Sequence, residues 1–321
     1  MKKINYLEFV RKYATYVIVV VLLVIGIFVS DKFLQPKNLL NILDAMAYIG
    51  IIAGGMALVT YCGQTVDLSV PSTMAVAAFT SILTLKFSLP VMIICVIVVG
   101  ALLGALNGVV IGIFRINTVV WTLAMSFVFA GLIRVIFGSA NIYASEGNIA
   151  AFEQIARLKV FGVIPFSVIL MLIELITLHI VISRSKLGKQ FKMVGCSERV
   201  AQFSGVNVLK VIVLAFAGSG VAAAIAGMFI ASLSKAASYT YGIGYEFKGI
   251  TAVVLSGMVL DGGKGSMAGV LGGVLAIGLL NNIMTLIGLN SFLQDVVTGA
   301  VFIAIVWFSS FTEKRLEAAN G

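Results

Sequence analysis

The chain has 321 residues, of which 60% are hydrophobic and 11% charged, and a mean hydropathy of +1.12. A water-soluble domain carries about 25% charged residues, so this composition excludes one and describes an integral membrane protein. The net charge of +9 sits in short segments between apolar runs, which fits a positive-inside bias and argues against nucleic-acid binding.

Apolar windows about 18 residues or longer, close to the ~20 needed to cross a bilayer, cover residues 13–30, 45–66, 68–85, 87–114, 116–133, 211–234 and 265–294. Three weaker windows are 160–183, interrupted by Glu174, 247–260, preceded by Glu246, and 296–312. The first follows Lys2, Lys3, Arg11 and Lys12 and has no small-residue cleavage site, so it reads as an uncleaved span. The window 265–294 contains a turn near Gly288 and Asn290 that starts the last span. The expected fold is an all-α integral membrane protein with about ten transmembrane helices, forming a single permease domain over 1–321.

Parity then assigns sides. With residues 1–12 cytoplasmic, Arg115, the stretch 184–210, Lys264 and the tail with Lys314 and Arg315 are all inside, placing about 14 of the 22 Lys and Arg there. Segment 137–160 is external. Within it Ile149, Phe152, Ile155 and Ala156 form one face of a short amphipathic helix, either lying on the membrane or receiving an external protein.

Gly100, Gly104, Gly108 and Gly112 recur every fourth residue, and so do Gly265, Gly269 and Gly273; this spacing stacks glycines on one helix face for close packing. Gly104-Ala-Leu-Asn107-Gly108 echoes Gly278-Leu-Leu-Asn281-Asn282 in a span of opposite direction, as two inverted five-helix halves would.

No catalytic constellation stands out. His179 is the only histidine and sits near a helix end. Cys62, Cys95 and Cys196 lack metal or disulfide spacing and read as structural thiols. Gly262-Gly263-Lys264-Gly265 lacks the full phosphate-loop pattern and reads as a tight turn, so the chain itself does not hydrolyse ATP. Asp44 and Asp295 fall near span ends, Asp67 near a loop, and only Glu174 is mid-span, which weakens the alternative of a stand-alone ion-coupled secondary transporter or channel.

The basic stretch 184–210 carries Arg184, Lys186, Lys189, Lys192, Arg199 and Lys210 with Gly188, Gly195 and Gly205 between them. Ser197 can cap a short helix, Glu198 suits its first turn, Val200, Ala201 and Phe203 supply an apolar side, and Gly205 ends it. Such a helix suits insertion into a groove on another protein; the plainer reading is a connecting loop whose cations set topology.

Four pieces in order resemble the inner-membrane permease subunits of ABC importers, in the ribose and simple-sugar branch. They are Gln64-Thr-Val-Asp67-Leu68-Ser69-Val70; Gly104 to Gly108 followed by Arg115, Thr118 and Thr122; Leu187-Gly188-Lys189 through Gly195 and Ala201 to Val208; and Gly257, Gly262 to Ser266 and Asn281. Departures are Gln64 and Pro71 where glycine is usual, Asn117-Thr118 for a proline-containing turn, and Cys196-Ser197 for Gly-Asn.

The resemblance implies a type II importer-like pore subunit in a bacterial plasma (inner) membrane, multi-pass with both termini cytoplasmic. It implies no catalytic residue, metal or cofactor in this chain, with ATP and magnesium bound by a partner ABC ATPase. A solute-binding protein would deliver a ribose- or galactose-like monosaccharide, or a similar small polar solute. A second permease copy or a homologue would complete the pore within the membrane lipid. Gly188, Lys189, Gly195, Glu198, Ala201 and Gly205 would form the ATPase-coupling loop. Asp67, Ser69, Asn107, Asn281 and Asn282 are candidates for the translocation path, or else for helix–helix hydrogen bonding.

Overall fold

The computed structural model describes residues 6–320, with side chains from Thr15 to Trp307. Lys2 and Lys3, and the side chains of Arg11, Lys12, Lys314 and Arg315, lie outside the described residues. Thirteen helices are described: α1 (Tyr6–Val29), α2 (Pro36–Tyr61), α3 (Val70–Thr84), α4 (Leu89–Phe114), α5 (Thr118–Phe137), α6 (Ile149–Arg157), α7 (Phe166–Arg184), α8 (Lys186–Cys196), α9 (Glu198–Phe203), α10 (Val208–Ser234), α11 (Tyr245–Leu255), α12 (Met267–Leu286) and α13 (Ser291–Asn320).

Each of the ten apolar windows coincides with a helix, but the helices are not equal. Six of those described, α2, α4, α5, α7, α10 and α12, are long and apolar enough to cross a membrane. The window 68–85 shrinks to the 15-residue α3 because residues up to Ser69 are held in a polar knot described below. The window 247–260 becomes the 11-residue α11, followed by a glycine-rich turn. The turn expected within 265–294 is present, with Gly288 at φ +79°.

Local sequence explains the ends. Pro36 and Pro90 occupy first turns, where a missing N–H costs nothing. Asn117 and Asn207 accept from Val120 N (3.2 Å) and Lys210 N (2.9 Å), capping α5 and α10.

The centre of the bundle is α2, with 83% of its apolar window buried against 22% for α4, α5 and α7, whose outer faces are left for lipid. Helix α10 packs along α2, α3 and α4. Its seam with α4 is the glycine row found in the sequence. A Cβ on Gly104 would collide with the Phe216 carbonyl, and one on Gly108 would lie 2.7 Å from Val213 Cα. Gly100 meets Gly220 of α10 in the same way, so the two backbones touch. The second row is only partly as expected. Gly269 and Gly273 pack against Ser256 and Ala252 at the end of α11, but Gly265 lies in the preceding turn at φ +135° and not on the helix.

Two chain breaks interrupt the bundle, residues 62–69 before α3 and 235–244 before α11. The second reaches the helix that follows the first: a Cβ on Gly242 would sit 2.9 Å from the backbone of Pro71 in the first turn of α3.

At one end of the bundle lie four two-residue strands in two antiparallel ladders: β1 (Ile142–Tyr143) with β4 (Ala236–Ala237), and β2 (Lys159–Val160) with β3 (Ile164–Pro165). Helix α6 has the expected apolar face, and it is seated on the protein. Phe152 and Ala156 are buried, and Ser232 of α10 bonds the backbone of both, donating to Phe152 O (2.6 Å) and accepting from Ala156 N (3.1 Å).

Candidate functional site: a seated helix pair and a buried polar knot

The basic stretch is two helices and not a loop. Ser185 ends α7 and caps α8, accepting from Gly188 N at 3.0 Å. Ser197 caps α9 as its sequence suggests, accepting from Val200 N at 3.4 Å. Gly205, at φ +78° with nothing near its Cβ position, lets the chain turn away after α9.

Three glycines far apart in sequence form the seat of this pair. A Cβ on Gly195 would collide with the Tyr61 carbonyl and lie 2.6 Å from Gly263 N, and one on Gly63 would be 3.2 Å from Gly195 Cα. Gly263 N donates to Tyr61 O at 2.9 Å. The Gly262–Gly265 turn thus has a second role: it joins the end of α2 and the Gly195–Cys196 backbone in one close contact. Gly188 is buried against the α7 carbonyls of Val181 and Ile182, so α8 packs directly on the end of α7.

Helix α9 presents two faces. Ala201 is fully buried, so it does not share the outer face with Val200 and Phe203 as the sequence suggests. Val200 and Phe203 are 61% and 92% exposed, and their chain neighbours Arg199 and Gln202 are exposed as well. Lys189 is exposed on α8. Glu198, on the inner side, accepts a hydrogen bond from Gln64 Nε2 (3.0 Å) and pairs with Arg115 at the end of α4. Gln64 Oε1 accepts from Thr118 Oγ1 (3.0 Å) at the start of α5.

The polar knot lies above this seat. Asp67 is 1% exposed. Its Oδ1 accepts from Ser69 N (3.0 Å) and Ser69 Oγ (2.6 Å), and its Oδ2 from Ser219 Oγ of α10 (2.9 Å). Asn107 of α4 donates from Nδ2 to Ser69 Oγ (2.9 Å) and accepts on Oδ1 from Trp121 Nε1 of α5 (3.1 Å). Leu68 N donates to Thr122 Oγ1 (3.0 Å), whose hydroxyl donates to Thr118 O (2.8 Å). Buried polar groups are costly unless bonded, and here the Ser219, Asn107 and Thr122 bonds tie α10, α4 and α5 to the start of α3.

Asn281 and Asn282 are not part of the knot. Asn282 exchanges two hydrogen bonds with Asn38 of α2, at 3.0 and 2.9 Å, and so joins helices. The Oδ1 of Asn281 is buried with no hydrogen-bond partner among the described residues. Replacing Asn282 with Ala leaves the Asn38 amide with one partner fewer, and the expected loss is about 1 kcal/mol in detergent-melting stability. An unchanged melting temperature would show the pair to be energetically idle.

Sequence reasoning missed Ser219, Trp121 and Gly63 altogether. Gln64, Arg115, Thr118 and Thr122 were visible only as motif positions or topology markers, because their partners lie up to 134 residues away. Among the described residues no group of His, Cys, Asp and Glu could hold a metal ion.

A mostly helical bundle with six membrane-length apolar helices among those described, and a buried polar knot at the start of a short helix, fits a multi-pass membrane permease. The chain belongs to the family described as the permease component of the branched-chain amino acid transport system, whose model matches residues 38–306. It is 34% identical over 307 residues to the ribose import permease protein RbsC of Bacillus subtilis, covering 95% of this chain and 94% of that protein. The Haemophilus influenzae RbsC is 30% identical over 302 residues, covering 93% of each chain. The galactose/methyl galactoside import permease protein MglC of Escherichia coli is 29% identical over 337 residues, covering 98% of each. No solved structure gives a significant match.

Proposed function

We propose that this chain is the transmembrane pore subunit of an ATP-driven importer for a monosaccharide or similar small polar solute. A cytoplasmic ATPase docks on α8 and α9, an external binding protein delivers the solute, and a second permease chain completes the pore. The relatives named as ribose and galactose import permeases support the solute class.

Ten spans, α1–α5, α7 and α10–α13, fit two inverted halves, and the packing supports this pairing. The contact of α2 with α12 is matched by α10 with α4, α2 with α11 by α10 with α3, α3 with α4 by α11 with α12, and α3 with α5 by α11 with α13. An inverted repeat meets at a midplane site formed by broken helices. The approach of Gly242 to Pro71 in the first turn of α3, close in the chain to Asp67 and to Ser69, which Asn107 bonds, is the candidate centre of the path. On this reading the seat end is cytoplasmic, as are both termini.

The observation that carries the docking reading is α9, a capped helix directly after the glycine seat at the end of α8, with Phe203 almost fully exposed. A large exposed aromatic at a water-facing end has the character of an interface anchor. Phe203→Asp touches nothing in the fold, and the expected result is at least a tenfold drop in ATPase recovered with tagged permease. Equal recovery with native melting behaviour contradicts docking through α9.

A further inference from the structure

Resting on the importer reading, we propose that Gln64 is a positioning residue that transmits displacement of α9 to the start of α3, and so couples the ATPase stroke to the central break. Gln64 is 8% exposed and sits in the break between α2 and α3, where its amide uses both ends. Nε2 donates to Glu198 Oε1 and Oε1 accepts from Thr118 Oγ1, each at 3.0 Å. Glu198 is held from its other oxygen by Arg115, which lies in a left-handed turn between α4 and α5 at φ 55°.

The path continues without a gap. Thr118 O accepts from Thr122 Oγ1, and that oxygen accepts from Leu68 N. Leu68 lies between the two residues of the knot, Asp67 and Ser69. Every link is a hydrogen bond of 2.8–3.0 Å. The links run from the helix that faces the partner to the carboxylate that ties α3 to α10, with Asn107 of α4 bonded to Ser69 beside it. The glycine seat touches this segment at Gly63, but through α8 and not through α9. Gln64 is the side chain in this chain of bonds that joins the moving helix to the break. A bonded chain has discrete made and broken states, which is what coupling between sites requires.

The test is a charge-swap series in proteoliposomes holding permease, ATPase and loaded binding protein, read as solute taken up per ATP hydrolysed. Gln64→Glu keeps the shape but sets two carboxylates against each other, and uptake per ATP falls about tenfold. In the reciprocal swap Gln64→Glu/Glu198→Gln, the carboxylate now at position 64 accepts from both Thr118 and the amide at position 198. The swap restores the ratio to within about threefold of the parent. Packing alone would respond neither to the added charge nor to its relocation in the double variant.

Gln64→Met, uncharged and of similar volume, gives the same loss and serves if Gln64→Glu fails to fold. The proposal is overturned if assembled Gln64→Glu or Gln64→Met keeps the parental ratio. It is equally overturned if the assembled swap is no better than the single variant. A parental complex whose uptake ignores ATP overturns the importer reading itself, and the unsubstituted arm reports that separately.

Discussion

Gly195→Ala is expected to reduce ATPase recovered with the permease, and ATP-driven uptake, by about 30–100-fold, the equivalent of about 2–3 kcal/mol. The reason is steric and local. The added methyl would occupy the space of the Tyr61 carbonyl oxygen and come within 2.6 Å of Gly263 N, and both obstacles are backbone. No side chain can rotate away, so α8 and α9 must lift off the end of the bundle. Lifting them also separates Glu198 from Gln64 and Arg115. Gly205→Ala is the control. Gly205 has φ +78°, so alanine there costs about 1 kcal/mol of backbone strain, but nothing lies within 4 Å of its Cβ position. Recovery of the ATPase should therefore fall severalfold at most. If the two variants behaved alike, the glycine seat would not be what holds the helix pair.

Gly104→Leu is expected to prevent the bundle from forming. Gly104 lies in the α4–α10 seam, where its Cβ position overlaps the Phe216 carbonyl and is 3.0 Å from Ala217 Cα. A leucine would push apart two helices that touch along Gly100, Gly104 and Gly108, costing about 4 kcal/mol or more. It would also pull Asn107 from Ser69, since both depend on α4 lying this close. The measurement is the monodisperse fraction of detergent-solubilised protein, expected to fall below about a tenth of the parent. Gly131→Leu on α5, where nothing lies within 4 Å, should leave it unchanged.

These two predictions mark what was legible in the sequence and what was not. The four-residue glycine spacing in α4 pointed to a helix seam before any partner was known, because period and residue size together require close approach. The cap at Ser197, the end of α9 near Gly205, the amphipathic face of α6 and the turn at Gly288 were legible for the same reason: each is settled by neighbours in the chain. The seat was not. Gly63, Gly195 and Gly263 carry no mutual signal in a chain with 33 glycines. Helix α8 was hidden because its glycines and lysines read as a loop, whereas tertiary contact of Gly188 and Gly195 makes the helix compact. Asp67, Ser69 and Asn107 were found as polar residues in apolar surroundings, but that they bond to one another while Asn282 bonds Asn38 instead depends on helix placement. The shortness of α3 follows from that knot, since Ser69 is committed to Asp67 before the helix begins.

On the proposed reading, this pore is driven by a separate ATPase. The direct measurement is uptake of radiolabelled ribose or galactose into proteoliposomes containing the permease, its ATPase and a loaded binding protein, with ATP supplied on the ATPase side. Uptake is expected to require ATP and hydrolysis-competent ATPase and to be indifferent to ionophores. Uptake that persists without the ATPase and collapses with a proton or sodium gradient would contradict it.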